Sequence, residues 1–131
     1  MSNNGKNVLK IFLVSVDVKL KSAKESLQNL DPKSDVFEYA KASYKFVIIP
    51  IFEIVQGMIK DVLKMPGLDS YTAEKALTGM ASLLADKYQE IEQKIVTQCK
   101  SPQHHQSLEL GKTVYKHLIE ELLYMIQHIP A

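Results

Sequence analysis

Phe46-Val-Ile-Ile-Pro-Ile-Phe-Glu-Ile-Val55 is the stretch whose reading decides the fold. Apart from Glu53 it is apolar on every side, and Pro50 stands in its middle. Its β-branched residues would suit a buried strand. The flanking sequence argues for helix instead, because apolar residues recur there at intervals of three and four. Phe37, Ala40 and Tyr44 lead into the stretch, and Met58 and Val62 lead out of it. A 3/4 alternation of this kind is the mark of an amphipathic helix, and no period-two pattern competes with it. Pro50 lacks an N–H and crowds the turn before it, so the second helix is expected to kink or split near Pro50. A helix that is apolar all round must also be covered all round. Either three other helices wrap it or a partner does.

The same alternation runs through the rest of the chain. It gives Leu9, Leu13, Val16, Leu20, Ala23, Leu27 and Leu30 before the quoted stretch. After it come Ala73, Leu77, Met80, Leu84, Tyr88, Ile91 and Ile95, then Leu108, Gly111, Tyr115, Leu118, Leu122, Met125 and Ile129. Three punctuation points separate the four segments: 29–35, 65–70 and 100–103. Each carries a Pro beside a Gly or a capping residue. Asp31-Pro32 and Ser101-Pro102 both read as an N-cap followed by Pro in the first turn. Asp35 with Glu38 is an alternative capping box for the second helix. Short connections make neighbouring helices antiparallel, so the expected fold is an all-α, up-and-down four-helix bundle of long helices. The 131 residues fit one domain, 1–131, with 1–6 as a flexible lead.

Composition narrows the function. The net charge is +1, and all 16 basic residues are lysines. With no guanidinium, bidentate readout of guanine and arginine-finger chemistry are missing, so nucleic acid is not an expected partner. Cys99 is the single cysteine, which fits a reducing, cytoplasmic setting. The apolar run from Val8 to Val16 is broken by Lys10, followed at once by Asp17, and lacks a small-x-small cleavage site, so it is not read as a signal peptide. No stretch approaches the ~20 apolar residues of a membrane span.

No catalytic motif is present: there is neither a Gly-x-Ser-x-Gly elbow nor a glycine-rich phosphate loop. His117 and Glu121 share a helix face, but a di-iron bundle needs several more ligands on facing helices. They read as a solvated pair, and Glu120 and Glu121 as surface. His104 and His105 lie about 100° apart around a helix and do not chelate alone. A non-enzymatic chain with no cofactor is expected. A metal-binding protein using the His residues remains the third-ranked reading.

The candidate binding residues are Lys10, Pro50, Glu53, Gly57 and Gly79. An unpaired carboxylate inside an apolar stretch is costly, so Glu53 needs a partner or water. Heights counted from a turn near residue 31 or 32 place Lys10 opposite Glu53. Gly57 and Gly79 fall at equal heights about the Pro66-Gly67 turn, which suggests a close helix crossing or room for an apolar ligand. Helix one carries Val8, Ile11, Val14 and Val18 beyond its main stripe, and helix two carries Ile48, Phe52, Ile59 and Leu63. This surplus favours an interaction module, an adaptor, inhibitor or chaperone-like protein, with a protein partner or self-association as a homodimer. The alternative is a bundle that binds a lipid-like or other apolar small ligand near Pro50 and Glu53.

Overall fold

The computed structural model describes residues 4–98 and 101–128, and every regular element among them is helical. α1 covers Asn4–Gln28, α4 covers Ser70–Thr97 and α5 covers Pro102–Gln127. The second rod is composite: α2 over Phe37–Ser43, a π-helical stretch over Tyr44–Ile48, and α3 over Ile49–Leu63. With that rod counted once, the chain is the expected up-and-down bundle of four helices. α1 starts inside the stretch read as a flexible lead, since Asn4–Lys6 are its first turn. Cys99 and Ile129 lie outside the described residues.

Pro50 explains the composite rod. A regular α-helix would ask residue 50 for an N–H and would press its ring on the Phe46 carbonyl. The chain answers with a wider turn, in which the Ile49 N–H reaches back five residues to the Tyr44 carbonyl. Pro50 then falls in the first turn of α3, where a missing N–H costs least. The backbone stays in the right-handed helical region at Ile48 (φ −68°) and Ile49 (φ −61°), so the rod is loosened there and not broken. The irregularity expected at Pro50 is thus a π turn just before it.

Helix starts divide into those written in the sequence and one that is not. The Ser101 hydroxyl accepts the His104 N–H at 3.0 Å, with Pro102 in the first turn of α5, as expected. The Asp69 carboxylate accepts the Thr72 N–H at 2.8 Å and caps α4. These hydrogen bonds hold the Asp69 carboxyl below its ordinary pKa, the backbone bond from Thr72 contributing most. Neither reading of the second helix start survives. Asp31 spends its side chain on the Lys33 N–H at 2.9 Å and its carbonyl on the Ser34 N–H at 3.0 Å, closing a turn. α2 begins later, at Phe37, behind Val36 and with no side-chain cap, so Asp35 and Glu38 form no capping box.

α1 packs along α3, and α4 along α5; α1 also rests on α4, while α5 meets the π stretch. Leu9, Phe12 and Val16 enter the main core with Val55, Ile59, Leu77, Leu118 and Leu122. Phe12 is fully buried where the sequence pattern favoured its neighbour Leu13, which is only half-buried. A smaller cluster joins Leu20 and Ala23 of α1 to Ile49, next to the π stretch.

Candidate functional site

The second rod presents two apolar faces, and only one is fully covered. Ile51, Val55 and Ile59 point into the core at 7%, 1% and 0% exposure. Phe46, Pro50 and Ile54, spaced by four and so aligned on one face, look outward. Phe46 is 69% exposed and Ile54 57%. The other helices do not wrap the second rod.

This open face forms one wall of a groove. Ser107, Leu108, Gly111 and Tyr115 of α5 form the other wall, and Val47, Ile51 and Ile91 contribute to the lining, around a space of about 260 Å³. The walls come together at Gly111, where a Cβ would sit in ordinary contact, 3.5 Å from Ile91 Cδ1 and 3.6 Å from Val47 Cγ1. The Lys45 ammonium stands 5.5 Å from the centre of the Phe46 ring. Tyr115 is nearly buried, and burial first, then the charge of Glu90, raises its phenol pKa. It remains a neutral phenol throughout the physiological range.

Of the five residues singled out in the sequence, the structure puts Pro50 alone in this groove. Glu53 turns aside to Lys24, 4.0 Å away, and both side chains are about half exposed. Lys10 is exposed on α1 and does not pair with Glu53. The height count fails because the second rod starts at Phe37 and not near Pro32. Opposite positions therefore run Asp17 to Gln56, joined at 2.6 Å, and Lys24 to Glu53. Lys24 lies about 21 Å further along α1 than Lys10. Gly57 and Gly79 mark no close crossing, since a Cβ at either would meet nothing within 4 Å. Gly79 is exposed on α4, and Gly57 sits one turn past Ile54, outside the groove lining. The groove residues Phe46, Ile54, Leu108 and Tyr115 were not singled out. The period-four set Phe46, Pro50, Ile54 is legible in residues 46–55, where Glu53 is the one polar residue.

The surplus apolar residues also separate. Ile59 is fully buried, and Ile48, Phe52 and Leu63 are half-buried. Ile11, Val14 and Val18 stay 57–62% exposed, on the side of α1 facing away from Leu9, Phe12 and Val16.

One polar cluster has no local signature in the sequence. Glu121 does not stay with His117 but turns to α1. The Ser15 hydroxyl donates to Glu121 Oε1 in a very short bond. Lys19 Nζ donates to Ser15 Oγ at 2.6 Å and to Glu121 Oε2 at 2.7 Å. A serine beside an amine and a carboxylate has the makings of an activated nucleophile. All three, however, sit inside helices whose N–H groups are committed to the helical ladder, which leaves no paired donors for an oxyanion. The arrangement serves as a clasp between α1 and α5. Among the described residues no three of His, Cys, Asp and Glu gather as a metal site, and no helix is long and apolar enough to cross a membrane.

No protein-family model, no curated protein and no solved structure matches the chain. The groove stands on its own geometry. It offers a long apolar lining, an exposed aromatic and aliphatic rim, and an irregular backbone turn at one end.

Proposed function

We propose that this chain is a non-enzymatic interaction module, a small adaptor, inhibitor or chaperone-like protein, which docks a partner segment along the groove of Phe46, Pro50 and Ile54. The observation that carries this reading is the second exposed face of α3, lying beside an apolar lining. Helix faces of this kind commonly seat the apolar side chains of another chain, and large exposed aromatics at a groove are typical binding anchors. The outward stripe of Ile11, Val14 and Val18 gives a second apolar surface, suited to self-association as a homodimer. A cytoplasmic setting fits the lone cysteine. The small-ligand alternative near Pro50 has less support: a small-molecule site usually encloses most of its ligand, whereas Phe46 and Ile54 leave this groove open along its length. Metal binding through His has no gathered ligand set behind it among the described residues.

The test is affinity purification from the native host with the wild-type chain and with a Phe46→Ser, Ile54→Glu double variant. A partner held by the wild type and lost by the variant, with helicity and melting unchanged, is the expected result. A partner held equally by both would remove the groove from the interaction.

A further inference from the structure

The outward side of α1 carries an apolar seam flanked by a cation and an anion. Asn7, Ile11, Val14, Val18 and Lys21 recur by four and three, so they form one line on the side away from Leu9, Phe12 and Val16. Ile11, Val14 and Val18 are 57–62% exposed. Lys10 and Asp17, seven residues apart, stand along one flank of this seam, and Lys24 continues it. Lys10 is exposed and takes part in no ion pair among the described residues. Asp17 accepts Gln56 Nε2 through Oδ1 at 2.6 Å, and its second oxygen is left for another donor.

We infer that this face pairs with the same face of a second copy, the two α1 helices antiparallel and Lys10 of each opposite Asp17 of the other. This rests on the self-association reading above and gives it a register. A two-fold axis between antiparallel helices sets like flanks side by side, so Lys10, Asp17 and Lys24 of one copy meet the same three of the other. With Ile11 opposite Val14 of the second copy, two lysine–aspartate pairs form about the axis. A slide of one heptad puts Val14 opposite Val18, but it sets Lys10 against Lys24 and Asp17 against Asp17. A slide of two heptads brings Asp17 to Lys24 but faces Val14 with Glu25 and Val18 with Lys21, and the apolar contact is lost. Parallel helices would turn this flank to Ser15 and Ser22, which carry no charge. Charge and apolar contact together thus select one arrangement of the four. One helix face is short of the ~800 Å² per partner of a standard interface, so the dimer is weak and forms at high chain concentration. α1 lines no part of the groove at Phe46 and Ile54, and the two surfaces act independently.

The test follows self-association by sedimentation velocity and NMR, from micromolar to millimolar chain, for the wild type, Lys10→Glu and Asp17→Lys, with helicity and melting checked for each. The wild type is expected to dimerise with concentration, its NMR shifts centred on Ile11 and Val14. Each single reversal should weaken dimerisation about two- to thirtyfold, since two exposed ion pairs are lost per dimer. An equimolar mixture of the two variants should recover it, because each reversed side chain then meets the other. A wild type that stays monomeric throughout overturns the inference; if it still captures a partner through Phe46 and Ile54, the docking reading stands without it. Single reversals that dimerise as well as wild type, or a mixture that does not recover, also overturn it. Tighter dimerisation of Lys10→Glu does the same, by pointing to the register in which Lys10 faces Lys24. Val14→Glu, at an exposed position, should abolish the dimer by itself, and a dimer that survives it is held by a different face.

Discussion

Phe46 and Ile51 are neighbours on one helical rod and should respond to truncation to very different extents. Ile51 is 7% exposed and packs in the core with Val55 and Ile59. Replacing it by Ala removes buried methyl groups and leaves a void, at a cost of about 2–5 kcal/mol. Phe46 is 69% exposed, so less than a third of its surface is covered. Full burial of a phenylalanine is worth roughly 1.5–3 kcal/mol, which limits Phe46→Ala to about 1 kcal/mol or less. Denaturant titration followed by far-ultraviolet circular dichroism measures both, provided the slope with denaturant is unchanged. The titrations are run at two protein concentrations tenfold apart. The expected outcome is a large midpoint shift for Ile51→Ala, a small one for Phe46→Ala, and no concentration dependence in the latter. If Phe46→Ala loses as much stability as Ile51→Ala, the aromatic ring is covered in solution and the open groove is wrong. If that loss grows with concentration, the cover is another copy of the chain.

Three further outcomes follow from the same structure. Gly57→Ala and Gly79→Ala should each stabilise the fold by up to ~1 kcal/mol, because the added Cβ meets nothing and Gly is the poorer helix former; Gly67→Ala should destabilise it, since Gly67 holds φ +67°. Thermal melts rank the three, and a loss at Gly57 or Gly79 would mean that a neighbour is closer than drawn. Tyr115 has a raised pKa in the folded state, so its contribution to stability is complete below its unfolded value near 10.0 and declines as pH climbs from there through the folded value. Tyr115→Phe should flatten that alkaline decline relative to wild type, and identical alkaline profiles would contradict the burial of the phenol. A double-mutant cycle of Lys19→Met with Glu121→Gln should give a coupling of about 0.5–1 kcal/mol, modest because the two side chains keep 36% and 24% of their exposure. Strict additivity would dissolve the α1–α5 clasp.

How much of this could be read from the chain depends on whether a local pattern had a competitor. α4 and α5 show an undisturbed 3/4 period, and it names their buried residues Leu77, Met80, Leu84, Leu118 and Leu122, though not the buried Ala81. Ser101-Pro102 has one use, as a cap, and takes it. Asp31-Pro32 has the same form but two uses of similar energy, since an aspartate can close a turn on its own chain as readily as it caps a helix. The turn wins, and the later start of α2 then displaces every height counted across the first two helices. That single shift undoes Lys10 with Glu53. The Ser15–Lys19–Glu121 clasp joins residues that are distant in sequence and lie on two helices whose rotation no local pattern fixes. Pro50 demanded a departure from the α-helix, but whether it would be a kink or a π turn depends on what packs beside it.

The open face of α3 is not something the bundle needs for its own stability. A bundle helix requires one apolar stripe for its neighbours, and α3 already supplies that stripe with Ile51, Val55 and Ile59. Polar residues at 46 and 54 would restore an ordinary amphipathic rod at a cost of about 1 kcal/mol or less at each, by the same area reasoning as above. They would also remove an exposed patch that invites unwanted association. Likewise an alanine at 50 would give an uninterrupted helix with its hydrogen bonds complete. Two departures from a simple helix, each easily corrected, therefore coincide on one face within two turns. Local departures of this kind gather where a protein does something besides fold. At this place in the bundle they coincide with an apolar trough whose rim is the exposed Phe46 and Ile54.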